Sequence, residues 1–149
     1  MNKVKTFLIV CYANYCRSPV AEHLLRQKYN DVANFISAGI DPFPAANMDR
    51  RSSDYLINQG IKAPDHNPKK LSMELTKNAD YILAMDNIIL LYLNNLFPSH
   101  NQKFLLFNKG LPLLNVFDPF KVDDNKYQES MKRIKTICED FEKNFQINL

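Results

Sequence analysis

Apolar positions along the chain alternate between two periods. Residues 4–10 (VKTFLIV) form a β-rich, nearly continuous apolar run, the pattern of a strand buried on both faces. Ser18-Pro19 follows as an N-cap residue with a proline in the first helical turn. Val20, Ala21, Leu24 and Leu25 then recur at helical spacing, which predicts a helix from 18 to about 29. A second strand is predicted at about 34–38, ended by Gly39, and a second helix at 46–59, stopped by Gly60 in the C′ position. Further on, 79–85 (ADYILAM) reads as a buried strand, 87 to about 96 as a helix and 103–107 (KFLLF) as a fourth strand. Tyr127, Met131, Ile134, Cys138, Phe141 and Phe145 stand three or four apart, predicting one long helix from about 123 to 145. No repeat or linker divides the chain. Strands alternating with helices predict an α/β fold: one domain over 1–149, a four-stranded mainly parallel sheet flanked by helices on both faces.

Composition changes this picture little. Nineteen Lys and Arg against sixteen Asp and Glu give a formal charge of +3, which slightly favours an anionic substrate. No Lys/Arg cluster is dense enough to argue for nucleic acid. The longest apolar runs are too short to cross a bilayer, and the N-terminus lacks a secretory signal pattern, so the expectation is a cytoplasmic protein with no membrane partner. Three cysteines, Cys11, Cys16 and Cys138, are a poor disulfide framework and suit a reducing compartment.

The candidate chemistry lies in the loop Cys11-Tyr12-Ala13-Asn14-Tyr15-Cys16-Arg17-Ser18, between a buried strand and a helix N-terminus. In an open α/β sheet, functional groups gather beyond the carboxyl ends of strands. Backbone N–H groups and the positive end of the helix dipole make such a loop an anion site. The same field stabilises a thiolate at its mouth. Arg17 offers a planar fork of donors matched to two phosphate oxygens, and Asn14 tolerates the positive φ that a curled loop demands. Alone, Cys with Arg six residues later is a weak signal, because a thiol ending a strand is more often inert. Asp118-Pro119 by itself is a common turn dipeptide.

CYANYCRSPVAE resembles the signature of the low-molecular-weight protein-tyrosine phosphatases, a Cys-x5-Arg-Ser loop with an internal Asn and a second Cys. Ser37-Ala38-Gly39, Asp49-Arg50-Arg51 followed by Gly60-Ile61, His66, Tyr81 to Asp86 and Asp118-Pro119 fall in that family's order and spacing, so the likeness covers essentially the whole chain. The resemblance implies that Cys11 attacks phosphorus and becomes a phosphocysteine. It makes Arg17 and the loop amides the holders of the phosphoryl group, and Asp118 the general acid and then the general base. Ser18 would donate a hydrogen bond to the thiolate, and Asn14, Ser37 and His66 would brace the loop. Cys16 would be the second loop cysteine, able to trap an oxidised Cys11 as a disulfide. Cys11, Arg17 and Asp118 are thus the expected catalytic residues. Tyr12, Ala13, Asn14, Tyr15, Cys16, Ser18, Ser37 and His66 are the expected loop and support, and Tyr12, Tyr15, Phe43 and Phe120 the pocket walls. No metal or cofactor is implied, and the expected partner is a phosphotyrosine-containing protein or a small aryl phosphate.

The chain departs from the family pattern at several positions. Ala13 replaces a usual Gly, which would store strain if that position needs positive φ. Tyr15 replaces a smaller residue, Phe120-Lys121 stands where many members carry two tyrosines, and Lys69 replaces a usual Arg. Some relatives prefer phosphoarginine, a choice connected with the position of Tyr15, whereas a deep aromatic slot favours a phosphotyrosine ring. Asp86 reads either as a residue near the site or as the cap of the next helix. Two other functions compete. A thioredoxin-coupled arsenate reductase shares the loop but needs two more relay cysteines, and here only Cys138 remains downstream. The other is a weakly active or catalytically dead phosphate-binding interaction module: retention of Cys11, Arg17, Ser18 and Asp118 argues against it, while Ala13 and Tyr15 keep it open.

Overall fold

The computed structural model describes residues 3–149; Met1 and Asn2 of the predicted 1–149 domain lie outside it. Strands β1 (Lys5–Cys11), β2 (Ala33–Gly39), β3 (Tyr81–Ala84) and β4 (Phe104–Leu106) form one sheet in the order β2-β1-β3-β4, every neighbouring pair parallel. The central strand β1 is buried on both faces, which is why its sequence is a continuous apolar run and not an alternating one.

Among the described residues, six α-helices flank the sheet: α1 (Ser18–Tyr29), α2 (Arg50–Asn58), α3 (Met73–Asn78), α4 (Asn87–Leu96), α5 (Asp124–Glu139) and α6 (Phe141–Phe145). The alternation of side chains along the strands sorts them into two cores. Phe7 and Ile9 of β1 pack with Val20, Leu25, Leu56, Met131, Ile134 and Phe141 from α1, α2, α5 and α6. Leu8 and Val10 pack with Ile82, Ala84, Ile89 and Leu93 on the face covered by α3 and α4. On the first face Phe7 stacks on Phe35 and Tyr81 at 5.2 and 5.1 Å and meets Phe141 edge-on, a geometry aromatic rings favour. Helices therefore cover both faces, as the alternating periods predict.

Several boundaries differ from the expectation. Helix α2 begins at Arg50, not at 46, because Asp49 caps it through Arg51 N (2.8 Å) and Met48 turns into the core. The long C-terminal helix breaks at Asp140 into α5 and α6, while Phe141 and Phe145 keep their apolar spacing across the break. Helix α3 and a 3₁₀ segment, Pro98–Lys103, carry almost no buried residues and have no apolar period to betray them. Ser18 is the first helical residue and not the cap: Arg17 takes the cap position, and the Ser18 hydroxyl is turned inward.

The register places the site. Cys11 pairs with Gly39 and Val10 with both Ala38 and Ala84, so the carboxyl ends of β1, β2 and β3 lie level. The chain leaves β1 toward β2 on one side and later reaches β3 on the other, and the crevice at this reversal is where open parallel sheets bind ligands.

Candidate active site

The loop 11–17 is shaped by what its carbonyl groups do. Cys11 O, Tyr12 O and Ala13 O accept from the backbone N–H groups of Ile40 (3.2 Å), Asp41 (2.8 Å) and Phe43 (2.9 Å). Asn14 O accepts from His66 Nε2 (2.8 Å), Tyr15 O from Asp49 N (2.9 Å) and Cys16 O from the Ser52 hydroxyl (2.8 Å). Arg17 O accepts from Val20 N and Ala21 N, opening α1. Every carbonyl of the loop is thus engaged on its outer side. Peptide dipoles point the other way, so the N–H groups are left to converge on the interior. Among the described residues, the N–H groups of Tyr12, Ala13, Tyr15, Cys16 and Arg17 make no hydrogen bond within the protein, the arrangement of an anion cradle.

The turn needs one left-handed residue and one very close neighbour. Asn14 (φ 50°) supplies the first; Ala13 is not in that region, so the strain expected from losing a glycine there does not arise. Gly39 supplies the second, since a Cβ on it would stand 2.8 Å from Asn14 N and from Tyr12 O. No side chain fits where β2 runs beneath the loop.

Asn14 also organises the buried polar groups. Its Nδ2 donates to Ser18 Oγ (2.8 Å) and Ser37 Oγ (2.9 Å), and its Oδ1 accepts from Lys69 N (3.0 Å). Since the Ser18 oxygen already accepts from Asn14, its proton is free to point at Cys11 Sγ, 2.9 Å away. Asn14 N donates to the same sulfur at 3.2 Å. Two donors are thus aimed at one buried sulfur. Lys69 takes part only through its backbone, consistent with a structural change at that position.

Arg17 is 2% exposed. Its Nη1 donates to Asp86 Oδ2 (2.7 Å) and Val116 O (3.1 Å), which fixes the guanidinium plane by one edge. Its Nη2 stands 4.0 Å from Asp118 Oδ2. Burial works against the charge, but the negative charge that Cys11, Asp86 and Asp118 bring outweighs it and holds the guanidinium firmly cationic. Asp86 does both things the sequence left open: Oδ1 caps α4 through Ile89 N (2.9 Å) while Oδ2 grips Arg17.

These groups open on a cleft of about 240 Å³ lined by Cys11, Tyr12, Arg17, Phe43, Asp118 and Phe120, with Asp41, Pro42 and Pro44 on the same wall. Tyr15 does not line it, contrary to expectation. It stacks on Phe43 (4.4 Å) and meets Phe120 edge-on (6.4 Å), supporting the wall from behind. Asp118 faces Arg17 from the loop before α5, its Oδ1 accepting from Phe120 N (3.1 Å). Ser130 and Arg133 of α5 hold that loop by Phe117 O (3.0 Å) and Asn115 O (2.7 Å).

Cys16 and Cys138 are buried free thiols. Burial pushes the Cys16 thiol up to about 12, with Asp49, Cys11 and Asp118 adding to the shift against a contact with Tyr127. Cys138 is pushed up for the same first reason, as a core thiol on the apolar stripe of α5.

Three supporting residues escape sequence reading. Tyr127 contacts the Ser52 hydroxyl, and because Ser52 donates to Cys16 O, the phenol must be the donor in that pair. Glu22 on α1 is 3% exposed; its Oε2 stands 3.9 Å from His66 Nδ1 and its Oε1 3.5 Å from Arg26. Burial alone would push its carboxyl up, but His66 and Arg26 outweigh it and hold it below its usual range. Each looks in sequence like one more polar or apolar residue on a helix.

Comparison with known proteins agrees with this geometry. Residues 6–148 match the family model for low molecular weight phosphotyrosine protein phosphatase. The chain is 32% identical over 139 residues to the low molecular weight protein-tyrosine-phosphatase Ptp of Acinetobacter johnsonii, covering 93% of this chain and 96% of that one. Against the corresponding phosphatase Etp of Escherichia coli (strain K12) it is 30% identical over 126 residues, 85% and 84% of the two chains. The crystal structure of a low molecular weight phosphotyrosine phosphatase from Vibrio cholerae O395 superposes with a TM-score of 0.87 at 26% identity, covering 95% of this chain and 97% of that one. Matched by the family model over nearly its whole length and by these relatives over most of theirs, the chain belongs to the low molecular weight phosphotyrosine protein phosphatase family.

Proposed function

We propose that the protein hydrolyses phosphotyrosine in protein substrates through a phosphocysteine intermediate on Cys11. The observation that carries the reading is the outward engagement of every carbonyl from Cys11 to Arg17, which leaves a ring of N–H donors above the thiol. A phosphoryl group seated there has its equatorial oxygens on these amides and on the free edge of Arg17, where the transition state gathers charge.

The Cys11 thiolate attacks phosphorus, and the P–O bond to the aryl group breaks. Asp118 gives its proton to the departing phenolate, which otherwise leaves as a poor anion. The resulting Asp118 carboxylate takes a proton from water as that water attacks the phosphocysteine. The P–S bond breaks, inorganic phosphate leaves, and Ser18 and Asn14 N stabilise the returning thiolate by the two donors they already aim at it. Asp86 holds Arg17 in place throughout and is a positioning residue. The aromatic walls, Tyr12, Phe43 and Phe120, suit a phenyl ring.

The test is hydrolysis of p-nitrophenyl phosphate and of a phosphotyrosine peptide without metal, by wild type, Cys11→Ser and Asp118→Ala. The expected result is no turnover in Cys11→Ser and a larger loss in Asp118→Ala for the peptide than for p-nitrophenyl phosphate. Activity surviving Cys11→Ser sinks the mechanism. Faster turnover of phosphoarginine than of phosphotyrosine would retain the mechanism and overturn the substrate.

A further inference from the structure

Helix α4 carries no charged residue: its sequence is NIILLYLNNL. Ile89 and Leu93 bury one face against the sheet, as a surface helix requires. The opposite face is apolar too. Ile88, Leu91 and Leu96 are 64%, 65% and 52% exposed, and Tyr92 lies beside them at helical spacing. By contrast α5, whose inner face is apolar, turns Lys126, Glu129, Lys132 and Arg133 to the outside. A contiguous apolar stripe on a solvent-facing helix marks an interaction surface.

Its place in the fold says what it meets. Asp86, which caps α4, also holds Arg17, so the helix starts at the phosphate site. Tyr92 contacts Tyr12, ring centroids 6.2 Å apart, and Tyr12 is a wall of the cleft. The apolar stripe is thus continuous with the rim through the Tyr12–Tyr92 pair. From Ile88 to Leu96 it runs about 12 Å, a span that three to four residues of extended peptide match. Because the stripe reaches the rim at Tyr12, a substrate segment entering the cleft can continue along it.

We infer that the exposed face of α4, Ile88, Leu91, Tyr92 and Leu96, is a docking surface for apolar side chains that flank the phosphotyrosine of a protein substrate. The inference rests on the phosphatase reading above. Alternate residues of an extended peptide face one way, so leucines two and four positions from the phosphotyrosine lie along the stripe.

The experiment compares two phosphotyrosine peptides, one with Leu and one with Gln two and four positions from the phosphotyrosine on both sides. Each is assayed with wild type, Leu91→Gln and Leu96→Gln. Wild type is expected to show a KM about tenfold lower for the leucine peptide at similar kcat. Either variant should lose most of that preference while its p-nitrophenyl phosphate kinetics stay as in wild type. Equal KM values for the two peptides, or a preference intact in both variants, overturns the inference. So does a change confined to self-association in sedimentation or to flotation with anionic vesicles. The same preference is read as phosphopeptide binding to the Cys11→Ser protein, so a chain without turnover would sink the phosphatase reading and still leave this surface tested.

Discussion

Two loops meet across the cleft, and they are built in opposite ways. The loop 11–17 is buried at Cys11, Asn14, Cys16 and Arg17, every carbonyl is tied to a neighbouring element, and Asn14 alone anchors Ser18, Ser37 and Lys69. The loop that carries Asp118 is held from α5 at Asn115 and Phe117, and beyond that it is open: the Asp118 side chain is 53% exposed and Phe120 40%. On the proposed mechanism, the difference follows from what each would do. Charge stabilisation needs donors fixed before the substrate arrives, since reorganising them during reaction forfeits the advantage. A group that delivers a proton and then receives one from water must reach solvent, and is better placed on a less constrained segment.

The contrast can be broken from either side. Replacing Arg17 by Ala removes the charge from the rigid side and takes the ion-pair partner from the half-buried Asp86. We expect a loss in kcat/KM of about 10³-fold or more for every substrate, whatever its leaving group. Asp118→Asn breaks the other side. Its expected loss is about 10²-fold for phenyl phosphate and much less for p-nitrophenyl phosphate, whose leaving group needs less proton assistance. An equal loss for both substrates would deny the Asp118 loop its separate role.

Smaller changes sharpen the comparison. Gly39→Ala places a methyl group against the backbone of residues 12–14, where no flexible side chain can yield, so the cradle must shift. We expect about a tenfold fall in kcat with a smaller change in melting temperature. A variant at wild-type rate would show that the cradle is not as tightly fixed as its hydrogen bonds imply. Glu22→Gln tests the brace behind His66. Glu22 has a folded-state value below its unfolded one, so its carboxylate adds stability at pH above the unfolded range, about 4.3, and that stability fades as pH falls toward the folded value. Wild type should therefore exceed Glu22→Gln in unfolding free energy at neutral pH, by about 1 to 3 kcal/mol, with the gap narrowing below about pH 4. A gap independent of pH would assign Glu22 a packing role only.

The sequence showed the two regions unequally. Cys11, Arg17 and Asp118 are legible because their chemistry is carried by side chains within a recognisable strand–loop–helix. The sheet and α1 are legible because burial on one or both faces imposes a period. What makes the loop a cradle is not, because it is done by backbone N–H groups of Ile40, Asp41 and Phe43, which any sequence possesses. Ser52 and Tyr127 sit at ordinary helical positions and reach the loop only once α2 and α5 are packed on α1. Tyr15 shows the converse error. An aromatic in the loop suggested a wall, but the side chain turns away from the cleft to stack behind Phe43. Likewise the break at Asp140 leaves the apolar spacing of Phe141 and Phe145 undisturbed, so one helix was expected where two occur.

The most direct test of the central claim is chemical trapping of the phosphoenzyme. Asp118→Ala, expected to slow hydrolysis of the intermediate, is mixed with p-nitrophenyl phosphate, quenched within the first turnover and mapped by peptide mass spectrometry. The account requires one phosphate, on Cys11, absent from the double variant Cys11→Ser/Asp118→Ala. Phosphate on another residue, or a burst of nitrophenol with no phosphoenzyme at all, would contradict it.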